Sequence, residues 1–323
     1  MSKKIGLVGI YFPGAYDALH ENVPEDFELV DALSPEAYGN LADCEYLISR
    51  LDIDPDIINH TPNVKFWQRW GAGFDHVDLK AWGERGIPIA TCPGVNSGIV
   101  AELAIMLMLA GYRNLLQINR QLRAGHWPRT EYFGRSFMIK GKTVGVLGLG
   151  HIGKKVAALA TAFGANVIYY DIVRQTEQEE QFGYRFVDFD TLLKESDIFT
   201  IHCPLNEETR GLIGAAQFAQ MKPTAMLINT ARGPIVDEAA LIDALTTGKI
   251  ATAGLDTYEH EPLPKDHPLL TLDNVVASAH AGGNTKDNDI NMVNYVYHNI
   301  VAFDRGEPLN TPGDIVNGEY LKK

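Results

Sequence analysis

One stretch constrains this chain more than any other: residues 142–171, KTVGVLGLGHIGKKVAALATAFGANVIYYD. The apolar run 143–147 has strand character, and Gly148, Gly150 and Gly153 then complete G-x-G-x-x-G. Val156, Leu159, Ala160 and Phe163 recur at helical spacing. Gly164 stops the helix, and 167–170 reads as a second strand that ends at Asp171. The three glycines serve separate ends, which are a tight turn, close approach of backbone to a pyrophosphate, and close packing of helix on strand. The helix N-terminus offers unpaired N–H groups and partial positive charge to the phosphates. Asp171 stands about 20 residues on, where an acid accepts hydrogen bonds from an adenosine ribose. A G-x-G-x-x-G alone is a common glycine-rich turn. With a strand before it, a helix after it and the acid in place, the stretch reads as a dinucleotide-binding unit.

At 323 residues with 46% hydrophobic residues, the chain is long for one core, and two domains are expected. A net charge of −13 repels polyanions, which argues against nucleic acid or anionic membrane as partners. Cys44, Cys92 and Cys203 are scattered and odd in number, as in a reducing, cytoplasmic compartment. The N-terminal sequence runs into a strand without a long apolar segment, so secretion is not expected. The longest apolar stretch, 99–110, is interrupted by Glu102 and is too short to span a bilayer.

Strands are expected at 4–10, 46–49, 64–70 and 87–91, with a short helix over 54–60. Strands alternating with helical runs argue for an α/β fold with parallel sheets. Gly6 and Gly9 lack a third glycine and read as packing residues, not a second nucleotide site. The loop from Arg69 through Gly71, Ala72 and Gly73 to His76 has two readings: a nest of N–H groups for a carboxylate, or a turn that needs positive φ. Ser97 is placed to cap a helix over 99–118, which is apolar nearly all round and so buried on most sides. Residues 120–140 read as irregular. The last helix, 287–303, carries Met292, Val296, Ile300 and Phe303 on one face.

Further strands are expected at 197–202, 225–229, 252–255 and 275–278, and each ends in a polar cluster. The clusters begin at His202-Cys203-Pro204, at Asn229-Thr230-Ala231-Arg232, at Asp256 and at His280. Ligands in open α/β sheets lie at carboxyl ends of strands, so these four clusters form one site. The Arg232 guanidinium fork suits a carboxylate. His280 is a proton donor or acceptor near neutral pH, and Glu261 is the carboxylate to orient it. His76, His260 and His267 match no metal-ligand spacing, and no metal is expected.

These segments resemble the D-isomer-specific 2-hydroxyacid dehydrogenases. The resemblance rests on GLGHIG with Asp171, DIFTIHCPLNEETRGLI, MLINTARGPIVDEAALIDAL, AGLDTYEHEPLP, SAHAGGNT, WGAGFDHVDL and GIPIATCPGVNSGIVAELA, which together span nearly the whole chain. It implies two Rossmann-like domains: a split substrate domain, 1–98 with 292–323, and a coenzyme domain, 99–291, with the active site in the cleft between them. It implies catalysis by Arg232, Glu261 and His280 on a 2-hydroxy or 2-oxo acid. It implies NAD contacts at Gly148, Gly150, His151, Ile152, Gly153, Asp171, Cys203, Pro204, Thr209, Thr230, Ala231, Asp256, Gly282 and Gly283, and a homodimer through the coenzyme domain. Trp70 and Gly283 depart from the pattern and bear on substrate size. Because Glu261 is present, the formate-type branch is disfavoured; a phosphite-type enzyme and a nicotinamide-sensing corepressor remain alternatives. Asp171 favours NAD over NADP, although Arg174 stands close enough to pair with a 2′-phosphate. Substrate contacts are expected from Arg50, Arg69, Ala72, Gly73 and Arg232. Arg50 and Arg69 either attract a second substrate anion or pair with Asp52, Asp54 or Asp75, and Trp70 narrows the pocket toward glyoxylate or hydroxypyruvate.

Overall fold

The computed structural model describes residues 2–50, 53–75 and 77–321. The chain divides into two compact units: Met1–Asn96 with Asn284–Lys323, and Ser97–Gly283. The resemblance puts the crossings at 98/99 and 291/292; the units part slightly earlier in the chain at both.

The first unit is built on strands β1 (Lys3–Gly9), β2 (Phe27–Ala32), β3 (Tyr46–Arg50), β4 (Phe66–Arg69) and β5 (Ile89–Ala90), with helices α1 (Pro13–Glu21) and α2 (Leu79–Glu84). All strand pairs are parallel, in the order β2-β1-β3-β4-β5. The stretch expected as a helix at 54–60 is a 3-10 turn, Pro55–His60. The paired glycines of β1 are packing residues: a Cβ on Gly6 would sit 2.4 Å from Leu41 Cδ2, and one on Gly9 2.1 Å from the Arg50 carbonyl oxygen.

The second unit opens with α3 (Ser97–Tyr112) and α4 (Leu115–Arg123). It continues through β6 (Thr143–Leu147), α5 (His151–Ala162), β7 (Asn166–Tyr170), α6 (Thr176–Phe182), β8 (Arg185–Phe186) and α7 (Phe189–Glu195). Then come β9 (Ile198–Ile201), α8 (Ala215–Phe218), β10 (Met226–Asn229), α9 (Glu238–Thr246), β11 (Thr252–Leu255) and β12 (Val275–Ala277). The sheet is parallel throughout, in the order β12-β11-β10-β9-β6-β7-β8. Strand order reverses between β6 and β9, and such a switch point opens a crevice at the carboxyl ends of the strands.

The single helix expected over 99–118 is two helices meeting at 62°. Asn114 breaks it with φ +50°, a left-handed conformation that asparagine tolerates, and its side-chain amide donates to the Arg135 carbonyl and to Ser136 Oγ. Burial follows the break. Val100, Ala101, Ala104, Leu107 and Met108 of α3 are in the core, whereas α4 has no buried residue. Ser97 is the first residue of α3, not a residue outside it. Among the described residues, no single helix is long and apolar enough to cross a membrane.

The last helix, α10 (Lys286–Arg305), belongs to the first unit. Met292, Val293, Val296 and Ile300 are buried with Ile5, Leu7 and Phe66, and Phe303 stacks on Phe66 with centroids 4.5 Å apart. Each such side chain removed from water contributes roughly 1.5–3 kcal/mol, so this helix supplies a large part of the first unit's core.

Candidate active site

The glycine loop between β6 and α5 has little room for side chains. Gly148 has φ +89°, and a Cβ there would lie 2.7 Å from the Cys203 amide nitrogen. A Cβ on Gly153 would lie 2.0 Å from the Gly148 carbonyl oxygen, so the helix rests directly on the loop. A Cβ on Gly150 would meet nothing within 4 Å, which leaves that side of the loop open at the start of α5. Close packing behind and open space in front, at a helix N-terminus, is the form a dinucleotide pyrophosphate requires. The residues present therefore fit a nicotinamide dinucleotide.

Asp171 follows β7 and braces the loop: its Oδ2 accepts the Leu149 N–H at 2.6 Å and its Oδ1 the Val173 N–H at 3.1 Å. Ile172 and Val173 beside it are exposed. Arg174 makes a bidentate pair with Glu179. At the end of β9, His202 shares a 2.8 Å hydrogen bond between Nε2 and Thr200 Oγ1. Its Nδ1 is buried and has no partner among the described residues, and the same is true of Thr230 Oγ1 and Thr257 Oγ1 at the next two strand ends. Thr209 Oγ1 donates to the Pro204 carbonyl at 2.7 Å and accepts the Asn206 N–H at 2.8 Å, closing the turn after Cys203. At the end of β10, the Asn229 side chain accepts the Ala231 N–H and donates to the Arg232 carbonyl, so one amide shapes the loop that presents Arg232.

Asp256, at the end of β11, is buried, and its carboxylate accepts the N–H groups of Ala281 and Gly282, each at 2.9 Å. Its carbonyl accepts the His280 N–H at 2.7 Å. These three bonds hold His280 at φ +50°, an uncommon conformation for a residue with a Cβ and one enriched at functional sites. The His280 ring then meets Glu261: Nδ1 lies 2.6 Å from Oε2. The other Glu261 oxygen accepts the Tyr258 N–H at 3.0 Å. Burial pushes the Glu261 carboxyl up. The hydrogen bonds from His280 and Tyr258 and the charges of His280 and Arg232 outweigh it, and the carboxyl titrates below its ordinary range. With Nδ1 committed to Glu261, proton exchange with a reacting group must use Nε2.

The loop bearing Arg232 abuts the loop bearing Glu261. A Cβ on Gly233 would fall 1.9 Å from the Tyr258 carbonyl atoms. Arg232 Nη1 donates to the Ala231 carbonyl at 2.8 Å. Glu261 and His280 are thus brought together, and Arg232 is near enough for its charge to act on Glu261. His267 Nε2 pairs with Glu238 Oε1 at 3.0 Å, and no group of three metal-ligating side chains is gathered among the described residues.

The remaining candidates lie in the first unit. Arg50 is buried: it donates to the Ile10 carbonyl at 3.1 Å and to Asn284 Oδ1 at 2.9 Å, with its guanidinium 4.1 Å from the Phe12 ring centroid. Arg69 is buried too, with Nη1 3.3 Å from Ser49 Oγ and with Nε and Nη2 3.4 Å from the Gly73 carbonyl. In these contacts both arginines donate to neutral oxygens of the protein. Asp54 caps the 3-10 turn through the Asp56 N–H, and Trp70 packs edge-on against Tyr11. His76 and Asp52 lie outside the described residues.

Three features of the site escape a reading of the sequence. The grip of Asp256 on the amides of 281 and 282 is one, because the sequence marks that acid only as a cofactor contact. The abutment at Gly233 leaves no signal beyond a glycine after Arg232. Glu179 stands five residues after Arg174, a spacing that could have flagged the pair.

The model of the D-isomer specific 2-hydroxyacid dehydrogenase NAD binding domain matches residues 105–282. A glyoxylate reductase of Aeropyrum pernix is 37% identical, over 96% of this chain and 95% of its own length. A D-3-phosphoglycerate dehydrogenase of Archaeoglobus fulgidus is 43% identical over 81% of this chain, which spans only 49% of that relative. Among solved structures, a glyoxylate reductase from Paecilomyes thermophila superimposes with a TM-score of 0.82 at 32% identity, covering 97% of this chain and 98% of that one. A formate dehydrogenase from Staphylococcus aureus in complex with NAD superimposes with a TM-score of 0.84 at 28% identity, covering 97% and 98%.

Proposed function

Because the chain belongs to the D-isomer-specific 2-hydroxyacid dehydrogenase family, we propose that it is an NAD-dependent oxidoreductase interconverting a D-2-hydroxy acid and its 2-oxo acid. The observation that carries this reading is the 2.6 Å His280–Glu261 pair, set on the same parallel sheet as the glycine cradle. Bound NAD supplies the hydride acceptor, and in reduced form the hydride donor. Arg232 holds the substrate carboxylate in its fork and draws electron density toward the carbonyl oxygen. In reduction, His280 gives the proton from Nε2 to the forming alkoxide; in oxidation, it takes the hydroxyl proton back. Glu261 orients the ring through Nδ1 and balances its charge while it is protonated. Gly148, Gly150, His151, Ile152 and Gly153 hold the pyrophosphate and Asp171 the ribose. Cys203, Pro204, Thr209, Thr230, Ala231, Asp256, Gly282 and Gly283 line the rest of the cofactor.

For the substrate we favour a short 2-oxo acid, glyoxylate or hydroxypyruvate. The relatives named glyoxylate reductase support this, since the one from Aeropyrum pernix is matched along 95% of its length. The buried bonding of Arg50 and Arg69 counts against a second substrate anion. A carboxylate contact from Arg69 and the Ala72-Gly73 backbone remains part of the reading. Exposed Met106, Leu115, Leu116, Trp127, Phe133 and Met138 suit burial against a second copy of the chain, and a monomeric mass by light scattering would remove the homodimer. Three free cysteines, two of them buried, suit a reducing cytoplasm.

The test is turnover with NADH on glyoxylate, hydroxypyruvate, pyruvate and phosphohydroxypyruvate, in wild type and in Arg69→Ala. The expected order places glyoxylate and hydroxypyruvate first, with an unchanged ratio of phosphorylated to unphosphorylated substrate in Arg69→Ala. Turnover of none of the four, with NADH bound, would overturn the reading. A preference for phosphohydroxypyruvate that Arg69→Ala abolishes would restore the second anion.

A further inference from the structure

Arg174 stands three residues after Asp171, where a guanidinium can in principle reach a 2′-phosphate on the adenosine ribose. Its head group is already taken. Nε lies 2.8 Å from Glu179 Oε1 and Nη2 lies 2.7 Å from Oε2, a bidentate fork. The guanidinium also sits 5.5 Å from the Phe186 ring centroid. Glu179 is anchored from the other side, because its Oε1 accepts the Tyr169 hydroxyl at 2.7 Å. That hydroxyl in turn accepts the Gln175 N–H at 2.8 Å. Tyr169 is fully buried, the Glu179 side chain is 17% exposed and the Arg174 side chain 59% exposed. The carboxylate is therefore the fixed end of the pair and the arginine the movable end. Hydrogen bonds from Arg174 and Tyr169 lower the Glu179 carboxyl to about 2, so it stays ionised at any working pH.

We propose that Glu179 is a cofactor-specificity residue. By holding Arg174 against Phe186 it withholds the guanidinium from an adenosine 2′-phosphate. The inference rests on the proposed function, in which the glycine loop and Asp171 hold the adenosine of NAD. Discrimination against the phosphorylated dinucleotide is then exerted twice: Asp171 repels the extra dianion, and Glu179 denies it a counter-charge. The arginine end of the pair is exposed, and an ion pair open to water at one end contributes little to stability, so its removal spares the fold while freeing the arginine. Glu179→Gln also keeps an oxygen for the Tyr169 hydroxyl, so the turn into α6 retains its anchor.

Neither layer alone opens the site to the phosphate. Asp171→Ser removes the repulsion and leaves Arg174 pinned. Glu179→Gln frees Arg174 but leaves Asp171 beside the phosphate. The two substitutions are therefore more than additive, as for residues acting on one shared group.

The experiment is calorimetric titration of the full chain with adenosine 2′,5′-bisphosphate and with ADP, alongside an NADH titration. The variants are Asp171→Ser, Asp171→Ser/Glu179→Gln, and that double variant with Arg174→Ala. In the Asp171→Ser background, Glu179→Gln is expected to improve the ratio of 2′,5′-bisphosphate to ADP affinity by about tenfold, the scale of one charge-assisted contact. Adding Arg174→Ala is expected to erase that gain. ADP affinity is the control for an intact site. An unchanged ratio with Glu179→Gln, or a gain that survives Arg174→Ala, overturns the inference and leaves the proposed function standing. Failure of wild type to bind either ADP or NADH overturns the cofactor reading itself.

Discussion

His202 makes the second unit sensitive to acid, and the size of the effect can be worked out. Part of the residue reaches solvent, but its Nδ1 does not, and that atom has no partner among the described residues. Burial therefore disfavours the charged ring and lowers its pKa from 6.5 to about 3. Above pH 6.5 the ring is neutral in both folded and unfolded chains and contributes nothing. Below it, the unfolded chain takes up a proton that the folded chain refuses, so stability falls as pH falls. The loss is about 1.4 kcal/mol per pH unit and levels off near the folded pKa of about 3. At about pH 4.5 it reaches about 3 kcal/mol, or roughly a hundredfold in the folding equilibrium. The assay is hydrogen exchange of the amides of β9, which immediately precede His202, corrected for the intrinsic pH dependence of exchange. Between about pH 8 and about pH 4.5, wild type is expected to lose about a hundredfold more protection than His202→Gln, which carries no titrating ring. Parallel losses in the two proteins would refute the reasoning and show that the ring accepts its proton in the folded state.

Two further substitutions test the shape of the site. In Asp256→Asn, an amide N–H₂ faces one of the two backbone N–H groups that the carboxylate now accepts. That leaves a buried donor unpaired at a cost of about 1–3 kcal/mol. The melting temperature should fall by about 5 °C, with a loss of 2-oxo acid reduction as the His280 loop loosens; no change in either would mean that the loop holds itself. In Gly153→Ala, the new methyl 2.0 Å from the Gly148 carbonyl must push the loop away from α5. NADH affinity should fall at least about tenfold, the equivalent of one lost pyrophosphate hydrogen bond, and unaltered NADH titration would show that the loop has slack.

What the sequence disclosed was whatever is local. Strands β6 and β11 can be read to the residue because apolar runs end abruptly at glycine or polar clusters. The glycine loop and Asp171 are legible because one short βαβ unit contains all of them. Strand β2, FELVDA, escapes notice because only Phe27 and Ala32 are buried, and β8 is two residues long, too short for any period to show. The break at Asn114 is hidden because the apolar pattern runs through it. At the site, residue types are visible and partners are not. His280 and Glu261 stand 19 residues apart, and their 2.6 Å contact exists only because Asp256 turns the chain at 280–282. Arg50 and Arg69 show their charge in the sequence but not the carbonyl and side-chain oxygens they donate to.

The placement of α10 sets the order in which the protein can be made. The first unit's five strands are translated early, yet the helix that buries Met292, Val293, Val296 and Ile300 against Ile5, Leu7 and Phe66 comes only after the whole of residues 97–283. At about 5–20 residues per second, a ribosome spends roughly 10–40 s on that insertion. For that interval the nascent first unit lacks the part of its sheet cover that α10 supplies, and by the end of it the second unit, continuous in sequence, has every strand it needs. The N-terminal segment is thus the later to reach its final fold, and the exposed face is the natural place for a chaperone to bind during synthesis.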